Sequence, residues 1–414
     1  MTSRSCVHLS RRDRADLSGQ NGSSVRWAME MVTAVAEAFG APSLVDIEHA
    51  HLVGAYHSGP ANLRLLGALV KSGARVRVPA TLSASSADLT ETAPACYQGL
   101  EQERARDVVN LGVSLGCSPA LTCAPYFLDL PLRFGQRLAW AESNASIFAN
   151  TVIGARSLKT PQFLDLACAL TGRAPLIGPL TDEGRAPQLH IDASNLSPRW
   201  FETSIGPELL GYISGKVAGT AIPFVAGVRA PLDRLALRSI CAGVGVTGGT
   251  AMLHIQDSTP EAAQWAGAMG TTAVTQLDNA SFNAALGAFE IAPGEPIGAV
   301  FLGAPHYGPA DLARLHAHLD RNTAVPLFVS ISRSGDFDAS MLNRLTEAGV
   351  TFVRDACTYY GAPVDHLSGA AVTTSVKWAA YAANRNIPVH LTSLDGALDA
   401  ARTGSAPVSV AVAA

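Results

Sequence analysis

The sequence predicts an α/β protein in which several sheets are flanked by helices. Apolar residues at helical spacing alternate along the chain with short β-rich runs, and polar loops follow those runs. Of the 414 residues 48% are hydrophobic and only 15% are charged, so the chain can bury a large core. By length alone the protein should divide into about two or three structural units.

The first elements are predicted near the N-terminus. The segment "WAMEMVTAVAEAFGA" has the spacing of an amphipathic helix that ends at Gly40, and "PSLVDIEHAHL" after it reads as a strand running into a loop. The segment "ANLRLLGALVKSGARVRVPATLSASS" has the same order of helix, strand and loop. There Gly73 stops a helix, "RVRVPA" predicts a strand and a Ser/Thr-rich loop follows.

The same alternation of helix, strand and polar loop is predicted near the C-terminus. "DLARLHAHLDRNTAVPLFVSISRSG" and "DASMLNRLTEAGVTFVRDACTYYG" each predict a helix, a turn, a strand and a polar loop. Loops after strands are where such folds place ligands. The Pro/Gly-rich stretch "TGRAPLIGPLTDEGRAPQLH" is either a boundary or an ordered active-site loop. We expect it to divide an N-terminal region, 1–180, from a C-terminal region, 181–414.

Composition narrows the classes of function. The net charge is −4 and the basic residues are scattered, so nucleic acid is not an expected partner. No run of 18 apolar residues predicts a membrane span, and the polar start does not resemble a secretory signal. We therefore expect a cytoplasmic protein that acts on small molecules. Seven cysteines, an odd number, argue for reduced thiols that serve as ligands, nucleophiles or core residues.

Two segments concentrate functional side chains. In "LGCSPALTCAPY" five residues separate Cys117 from Cys123, which matches neither a zinc knuckle nor a two-residue redox pair, so spacing alone leaves a metal site and buried thiols both open. In "WAESNASIFANTVIGARS" polar and charged side chains crowd fifteen positions. A helix with Asn and Arg on its exposed face is the alternative interpretation of that segment.

Distinctive segments follow one another along nearly the whole chain: "LSGQNGSSVRWAMEMV", "DIEHAHLVGAYHSGPANL", "RVRVPATL", "LGCSPALTCAPY", "AWAESNASIFANTVIGARS", "ALTGRAPL", "GVTGGTAMLHIQDSTPEA", "VFLGAPHYGPADL" and "TTSVKWAAYAA". In this order they resemble the large, catalytic part of the aconitase X family of hydro-lyases. The resemblance implies an aconitase-like multi-domain assembly of sheets flanked by helices, over which a small swivelling domain or subunit closes. It also implies dehydration of small hydroxy acids, which include cis-3-hydroxyproline and mevalonate 5-phosphate in that family, and an iron or iron–sulfur centre held by three cysteines.

The resemblance also implies metal ligands. Cys123 in "TCAPY" matches the first family ligand and Cys357 in "RDACTYY" the last, but Ala304 in "LGAPHYG" stands where the middle thiol belongs. His306, two residues on, or Cys117 would have to replace it. We therefore expect iron or iron–sulfur binding to be weakened or lost.

Further site residues are predicted from residue type and from the matching motifs. Histidine acts as an acid or base near neutral pH, lysine and arginine bind carboxylates, and small polar side chains complete a polar wall. Structural histidines, surface ion pairs and a solvated helix-end lysine are the alternatives. The catalytic set is His51, His57, Ser143 and Lys377; the substrate-binding set is Ser58, Thr81, Asn144, Asn150, Arg156, Arg185 and Ser375.

Three functions fit these observations. The first is an aconitase X-like lyase that dehydrates a small, anionic hydroxylated amino acid or hydroxy acid such as cis-3-hydroxyproline. The chain is too short for a fused small domain of roughly 130 residues, so a separate small swivelling subunit is expected to close the site. The second is a metal-independent lyase, isomerase or decarboxylase of specialised metabolism on the same scaffold. The third is a non-catalytic ligand-binding subunit.

Overall fold

The computed structural model describes residues 7–53, 56–267, 273–319, 322–359 and 361–411. Within these ranges three parallel sheets carry helices on their faces, as the α/β prediction requires. An additional antiparallel pair of strands lies beside the first sheet. No helix of these ranges is both long and apolar enough to cross a membrane.

The first sheet contains four parallel strands in the order β3-β2-β4-β5. Strands β1 and β6 form the separate antiparallel pair. The strands are β1 (Leu44–Asp46), β2 (His49–Leu52), β3 (Ala80–Leu82), β4 (Arg137–Trp140), β5 (Arg156–Ser157) and β6 (Arg173–Pro175). The helices are α1 (Arg11–Leu17), α2 (Ser23–Ala38), α3 (Pro60–Lys71), α4 (Leu100–Ser114), α5 (Ser143–Phe148) and α6 (Leu164–Thr171).

One predicted strand of this sheet lies further along the chain than expected. "RVRVPA" predicts a strand over 75–80, but the strand observed is β3, which begins at Ala80. Pro79 has no N–H to donate to a neighbouring strand. The amides of Val76 and Arg77 bond instead to the carbonyls of Leu115 and Ala169, at 2.9 and 2.8 Å. The segment before Pro79 is therefore an ordered connection.

The second sheet contains four parallel strands in the order β10-β7-β8-β9. These are β7 (Leu189–Asn195), β8 (Pro223–Ala226), β9 (His254–Ile255) and β10 (Val274–Asp278). Its helices are α7 (Ile205–Ala218), α8 (Arg234–Thr247), α9 (Ala262–Trp265) and α10 (Asn279–Gly287). Helices α7 and α8 cross closely because Gly211 faces the Ile240 backbone, where a Cβ would lie 2.2 Å from the carbonyl oxygen.

The third sheet contains five parallel strands in the order β13-β12-β11-β14-β15. The strands are β11 (Ile297–Tyr307), β12 (Leu327–Ile331), β13 (Val350–Arg354), β14 (Ala370–Thr373) and β15 (Val389–Leu391). The helices are α11 (Pro309–His318), α12 (Ala339–Glu347), α13 (Ala362–Asp365), α14 (Val376–Asn384) and α15 (Leu394–Thr403). The two helix–strand repeats predicted near the C-terminus are confirmed here.

One hydrophobic core joins the three sheets. Trp140 of the first sheet, Ile191 of the second and Phe301 of the third belong to the same cluster of buried side chains, and none of the three is exposed. Loops tie the first and third sheets together as well. The Ser85 amide donates to the Asp355 carbonyl at 2.6 Å, and the Arg354 amide donates to the Asp88 carboxylate at 2.7 Å.

A buried carboxylate fixes α7 against α14. Glu208 accepts a hydrogen bond from the Val376 amide at 2.9 Å, in the first turn of α14. Burial raises the pKa of Glu208 to about 7, although hydrogen bonds from Ser239 and the Val376 amide oppose that rise. The folded protein therefore holds a proton on Glu208 over a pH range in which the unfolded chain has released it.

We expect this carboxyl to make stability depend on pH. As pH rises from 4.5 to 7, the unfolded state ionises first, so the free energy of unfolding should fall, by up to about 3 kcal/mol from this group. Above pH 7 the contribution levels off. Glu208→Gln should remove this part of the slope when urea unfolding is followed at pH 5, 6 and 7.5. A difference between wild type and variant that does not change with pH would contradict the assignment.

Candidate active site

Two cysteines and a histidine meet where the first and third sheets join. Cys123 lies in the loop before β4, His306 near the end of β11, and Cys357 in the loop after β13. The two sulfurs and a ring nitrogen of His306 lie within 4.8 Å of one another, and all three side chains are buried. The His306 backbone N–H points at the Cys123 sulfur, with a distance of 3.3 Å from nitrogen to sulfur. We call these three residues the Cys-His-Cys group.

The two thiols of this group differ in their pKa values. Burial alone would raise the pKa of Cys123, but a hydrogen bond from Cys357 and the nearby Lys377 ammonium lower it to about 6. The same hydrogen bond, together with burial, raises the pKa of Cys357 well above its usual value. At neutral pH the pair therefore holds one thiolate and one thiol.

A buried ion pair lies beside the Cys-His-Cys group. Lys377, in the first turn of α14, donates from Nζ to Glu142 Oε1 at 2.8 Å, and its side chain is 1% exposed. Burial would raise the pKa of Glu142, but the Lys377 ammonium outweighs that effect and holds the pKa below its usual range. Ser83 also donates to this carboxylate, at 3.4 Å. Glu142 is thus ionised at neutral pH.

Asn144 and Ser375 join the ion pair to the Cys-His-Cys group. Asn144 Nδ2 donates both to Glu142 Oε1 and to the Cys123 carbonyl, each at 3.1 Å. Ser375 caps α14 and donates from its hydroxyl to the Ala304 carbonyl. The sulfur, imidazole, carboxylate and ammonium groups therefore form one site at the junction of the first and third sheets.

His51 and Thr81 lie together on neighbouring strands of the first sheet. The His51 ring bonds to the Thr81 hydroxyl through Nδ1 at 2.8 Å and to the Thr122 carbonyl through Nε2 at 3.1 Å. Burial, with a smaller effect of the neighbouring His49, lowers the pKa of His51 to about 3. The imidazole is therefore neutral at physiological pH, and it orients the loop that carries Cys123.

Asn150 and Arg185 make internal contacts. Arg185 is 1% exposed; it bonds to Glu261 through Nε at 2.8 Å and donates to three backbone carbonyls. Asn150 donates to the Ser157 and Ala251 carbonyls at 2.8 and 2.9 Å. Arg156 pairs with Asp182, whose side chain is 82% exposed. Within the part of the chain that the structure describes, no hydrogen bond or ion pair joins these three side chains to Lys377, and their role in substrate binding stays a prediction.

The remaining predicted residues lie at or just before helix starts. His57 Nδ1 is 3.3 Å from Glu101 Oε2. Ser58 accepts from Asn62 at the start of α3, at 3.2 Å. Ser143 is the first residue of α5 and is partly exposed, directly after Glu142. Their catalytic and binding roles likewise stay predictions.

Cys117 lies apart from the Cys-His-Cys group. It belongs to the core cluster of the first sheet, whereas Cys123 belongs to the shared core. Burial raises the pKa of Cys117 to about 12, so the thiol stays protonated. The five-residue spacing in "LGCSPALTCAPY" thus separates a core thiol from a site thiol.

Glu142 was not assigned a role from the sequence. It follows β4 directly, and the position of a carboxylate at the end of a parallel strand was the available signal. Its partner Lys377 lies 235 positions away, so no local pattern connects the two. Tyr126 was also missed; its hydroxyl donates to Asn144 Oδ1 at 2.8 Å and helps to fix that amide.

The donors present do not reproduce a three-cysteine cluster site. The Cys-His-Cys group offers two sulfurs and an imidazole, and Ala304, two residues before His306, offers only a methyl group. The resemblance implies three thiolate ligands, and this group offers only two. The residues present therefore do not fit the cluster that the resemblance implies, and we derive no chemical step through it.

The similar proteins place the chain in a class of dehydratases, which are hydro-lyases. Three family models match the chain, described as the aconitase X first domain over residues 6–183, the second domain over 187–286 and the third domain over 297–403. The chain belongs to the aconitase X family. The expected division at residue 180 stays a prediction.

Similar proteins include dehydratases and large subunits of dehydratases. The chain is 34% identical to cis-3-hydroxy-L-proline dehydratases of Pseudomonas aeruginosa and Hypocrea jecorina, covering 96% and 91% of this chain but only 70% and 65% of those proteins. It is 30% identical to the phosphomevalonate dehydratase large subunit of Aeropyrum pernix, covering 94% of this chain and 98% of that one. A crystal structure of Thermococcus kodakaraensis aconitase X (holo-form) shares the fold, with a TM-score of 0.84, 24% identity and coverage of 95% and 100%.

Proposed function

We propose that this chain is the catalytic part of a dehydratase that removes water from a small hydroxylated carboxylic acid. A hydroxylated imino acid such as cis-3-hydroxy-L-proline is the first substrate to test, since two dehydratases named for it are 34% identical to the chain. The observation that carries the proposal is the buried Lys377–Glu142 pair beside the Cys-His-Cys group. A buried cation of this kind suits an anionic substrate.

The chemistry of dehydration assigns a role to Lys377. Loss of water takes a proton from the carbon beside the carboxylate and hydroxide from the next carbon, which leaves a carbon–carbon double bond. Negative charge grows on the carboxylate as the proton leaves, and a preorganised ammonium stabilises it. Glu142 and Asn144 hold Lys377 and the Cys123 loop in place, so the cation does not have to reorganise during the reaction.

A separate small subunit is the second part of the proposal. The chain spans 98% of the Aeropyrum pernix protein, which is named a large subunit, and about two thirds of the two cis-3-hydroxy-L-proline dehydratases. The name "large subunit" implies that a small subunit accompanies that relative. We propose that such a subunit closes over the site and supplies the base that takes the proton.

The assay uses the chain alone and with its small subunit. We expect loss of water from cis-3-hydroxy-L-proline and none from trans-4-hydroxy-L-proline, because only the 3-hydroxyl lies on the carbon next to the one that loses its proton. Product is followed by mass spectrometry. Release of CO2 or an isomer of unchanged mass would favour the metal-independent isomerase or decarboxylase. Binding of the acid without any turnover would favour the ligand-binding subunit.

A further inference from the structure

We infer that Cys123, His306 and Cys357 form a site for one zinc ion. This site replaces a three-thiolate site, because His306 supplies the third donor where Ala304 cannot. Two thiolates and one imidazole form a set known from catalytic zinc, in which the fourth position stays open. The inference concerns metal binding; only the use of the ion in catalysis rests on the proposed function.

The spacing of the donors suits a tetrahedral ion. Zinc–sulfur bonds of about 2.3 Å and zinc–nitrogen bonds of about 2.0 Å place the ligand atoms of a tetrahedron about 3.5 to 3.8 Å apart. The two sulfurs and the ring nitrogen already lie within 4.8 Å of one another. Small side-chain movements, on the order of 1 Å, would therefore complete the site.

The ring of His306 offers its nitrogens to the site. Nε2 lies 3.5 Å from the Cys357 sulfur and 3.1 Å from the Ala356 carbonyl. Nδ1 is buried without a hydrogen-bond partner among the described residues. A buried imidazole with one nitrogen beside a cysteine sulfur and the other unpartnered can supply the third donor.

The charges of the site also balance with a divalent ion. Two thiolates neutralise one Zn²⁺, and Lys377 and Glu142 neutralise each other at 2.8 Å. Buried charges are tolerated when they are paired, so this neutral total fits the complete burial of the group. Thiolate and imidazole donors favour zinc among the common divalent metals, whereas carboxylate-rich sites favour magnesium or calcium.

The test measures metal on the full chain under reducing conditions. Protein freed of metal by a chelator is titrated with Zn²⁺, and with Co²⁺ as a coloured probe whose thiolate charge-transfer absorption reports on the sulfurs. We expect one ion per chain and the absorption of a two-thiolate tetrahedral site. Less than about a tenth of an ion per chain, or cobalt without thiolate absorption, would overturn the inference.

Variants separate this site from the other thiols. His306→Ala should weaken zinc binding by about a hundredfold or more, and Cys357→Ser should reduce the charge-transfer absorption. Cys117→Ser is the matched control, since this buried thiol lies in another core cluster. It should change neither the affinity for zinc nor the charge-transfer absorption. Unchanged zinc affinity in folded His306→Ala would overturn the inference. If that variant does not fold, the test is the charge-transfer absorption of cobalt in the wild type, which gives the number of thiolates bound to the ion.

Metal content and turnover are measured on the same preparations. Zinc bound by a chain that dehydrates no hydroxy acid would support this inference and remove the proposed function. Dehydration by a chain that binds no zinc would support the proposed function and overturn this inference. Near-stoichiometric iron with sulfide in the wild type would overturn the inference in favour of a cluster.

Discussion

Replacing Lys377 by methionine should lower the free energy of unfolding by about 3 to 5 kcal/mol, because it leaves the Glu142 carboxylate buried without its cation. The same change should reduce turnover of the hydroxy acid substrate by roughly ten- to a hundredfold, because one charge-assisted contact to the substrate is lost. Urea unfolding at pH 8 measures the first effect. Steady-state kinetics of the fraction that stays folded measures the second.

The double variant Lys377→Met with Glu142→Gln separates the two effects. It removes the uncompensated charge, so it should recover much of the lost stability without recovering turnover. A double variant no more stable than Lys377→Met alone would show that the ion pair is not the source of the loss. Full activity in both variants would place the substrate elsewhere.

Arg156→Ala is the comparison for a surface charge. Its partner Asp182 is exposed, so solvent screens the pair and we expect little change in stability. The sequence assigns Arg156 to substrate binding, and a tenfold or greater loss of turnover in this variant would support that role. Unchanged turnover would leave Arg156 as a surface ion pair.

Ala304→Cys should restore iron binding. Wild-type protein purified without oxygen should hold far less than one cluster per chain, whereas the variant, supplied with iron and sulfide, should approach one, because a third thiolate completes the family's ligand set. Iron and sulfide analysis with visible charge-transfer absorption measures the gain. Ala304→Ser is the matched control, since it adds an oxygen of similar size that binds iron–sulfur clusters poorly.

The outcome also tests the arrangement of the loops. No gain of iron in Ala304→Cys would mean that position 304 does not face the two sulfurs. A wild-type chain with stoichiometric iron and sulfide would show that Ala304 does not limit cluster binding. Either result would be visible before any assay of activity.

The sequence predicts the local elements of this protein better than its long-range contacts. Helices α11 and α12 and strands β12 and β13 follow from apolar periodicity and the turns between them, because those signals lie within a few residues. The strand predicted over 75–80 fails at Pro79, where one missing N–H shifts the strand to Ala80. Local patterns carry no information on which loops meet.

Predictions for charged residues show the same limit. Arg185 is predicted to bind a substrate carboxylate because arginine suits bidentate recognition of that group, but its partner Glu261 lies 76 positions away. Lys377 is predicted to be a site residue from its motif, but that motif does not show its partner Glu142, 235 positions away. Residue type predicts that a charge needs a partner, and only the fold decides whether that partner is a substrate or another side chain.

The junction of the first and third sheets has a consequence for synthesis of the protein. Cys123 leaves the ribosome roughly 230 residues before Cys357. Synthesis runs at about 5 to 20 residues per second, so the interval between the two cysteines is roughly 10 to 50 s. During that interval the Cys123 thiol lacks the residues that later cover it. The loops joined through Asp88 and Asp355 can close only after that interval. Until then the Cys123 thiol lacks the burial that it has in the finished protein.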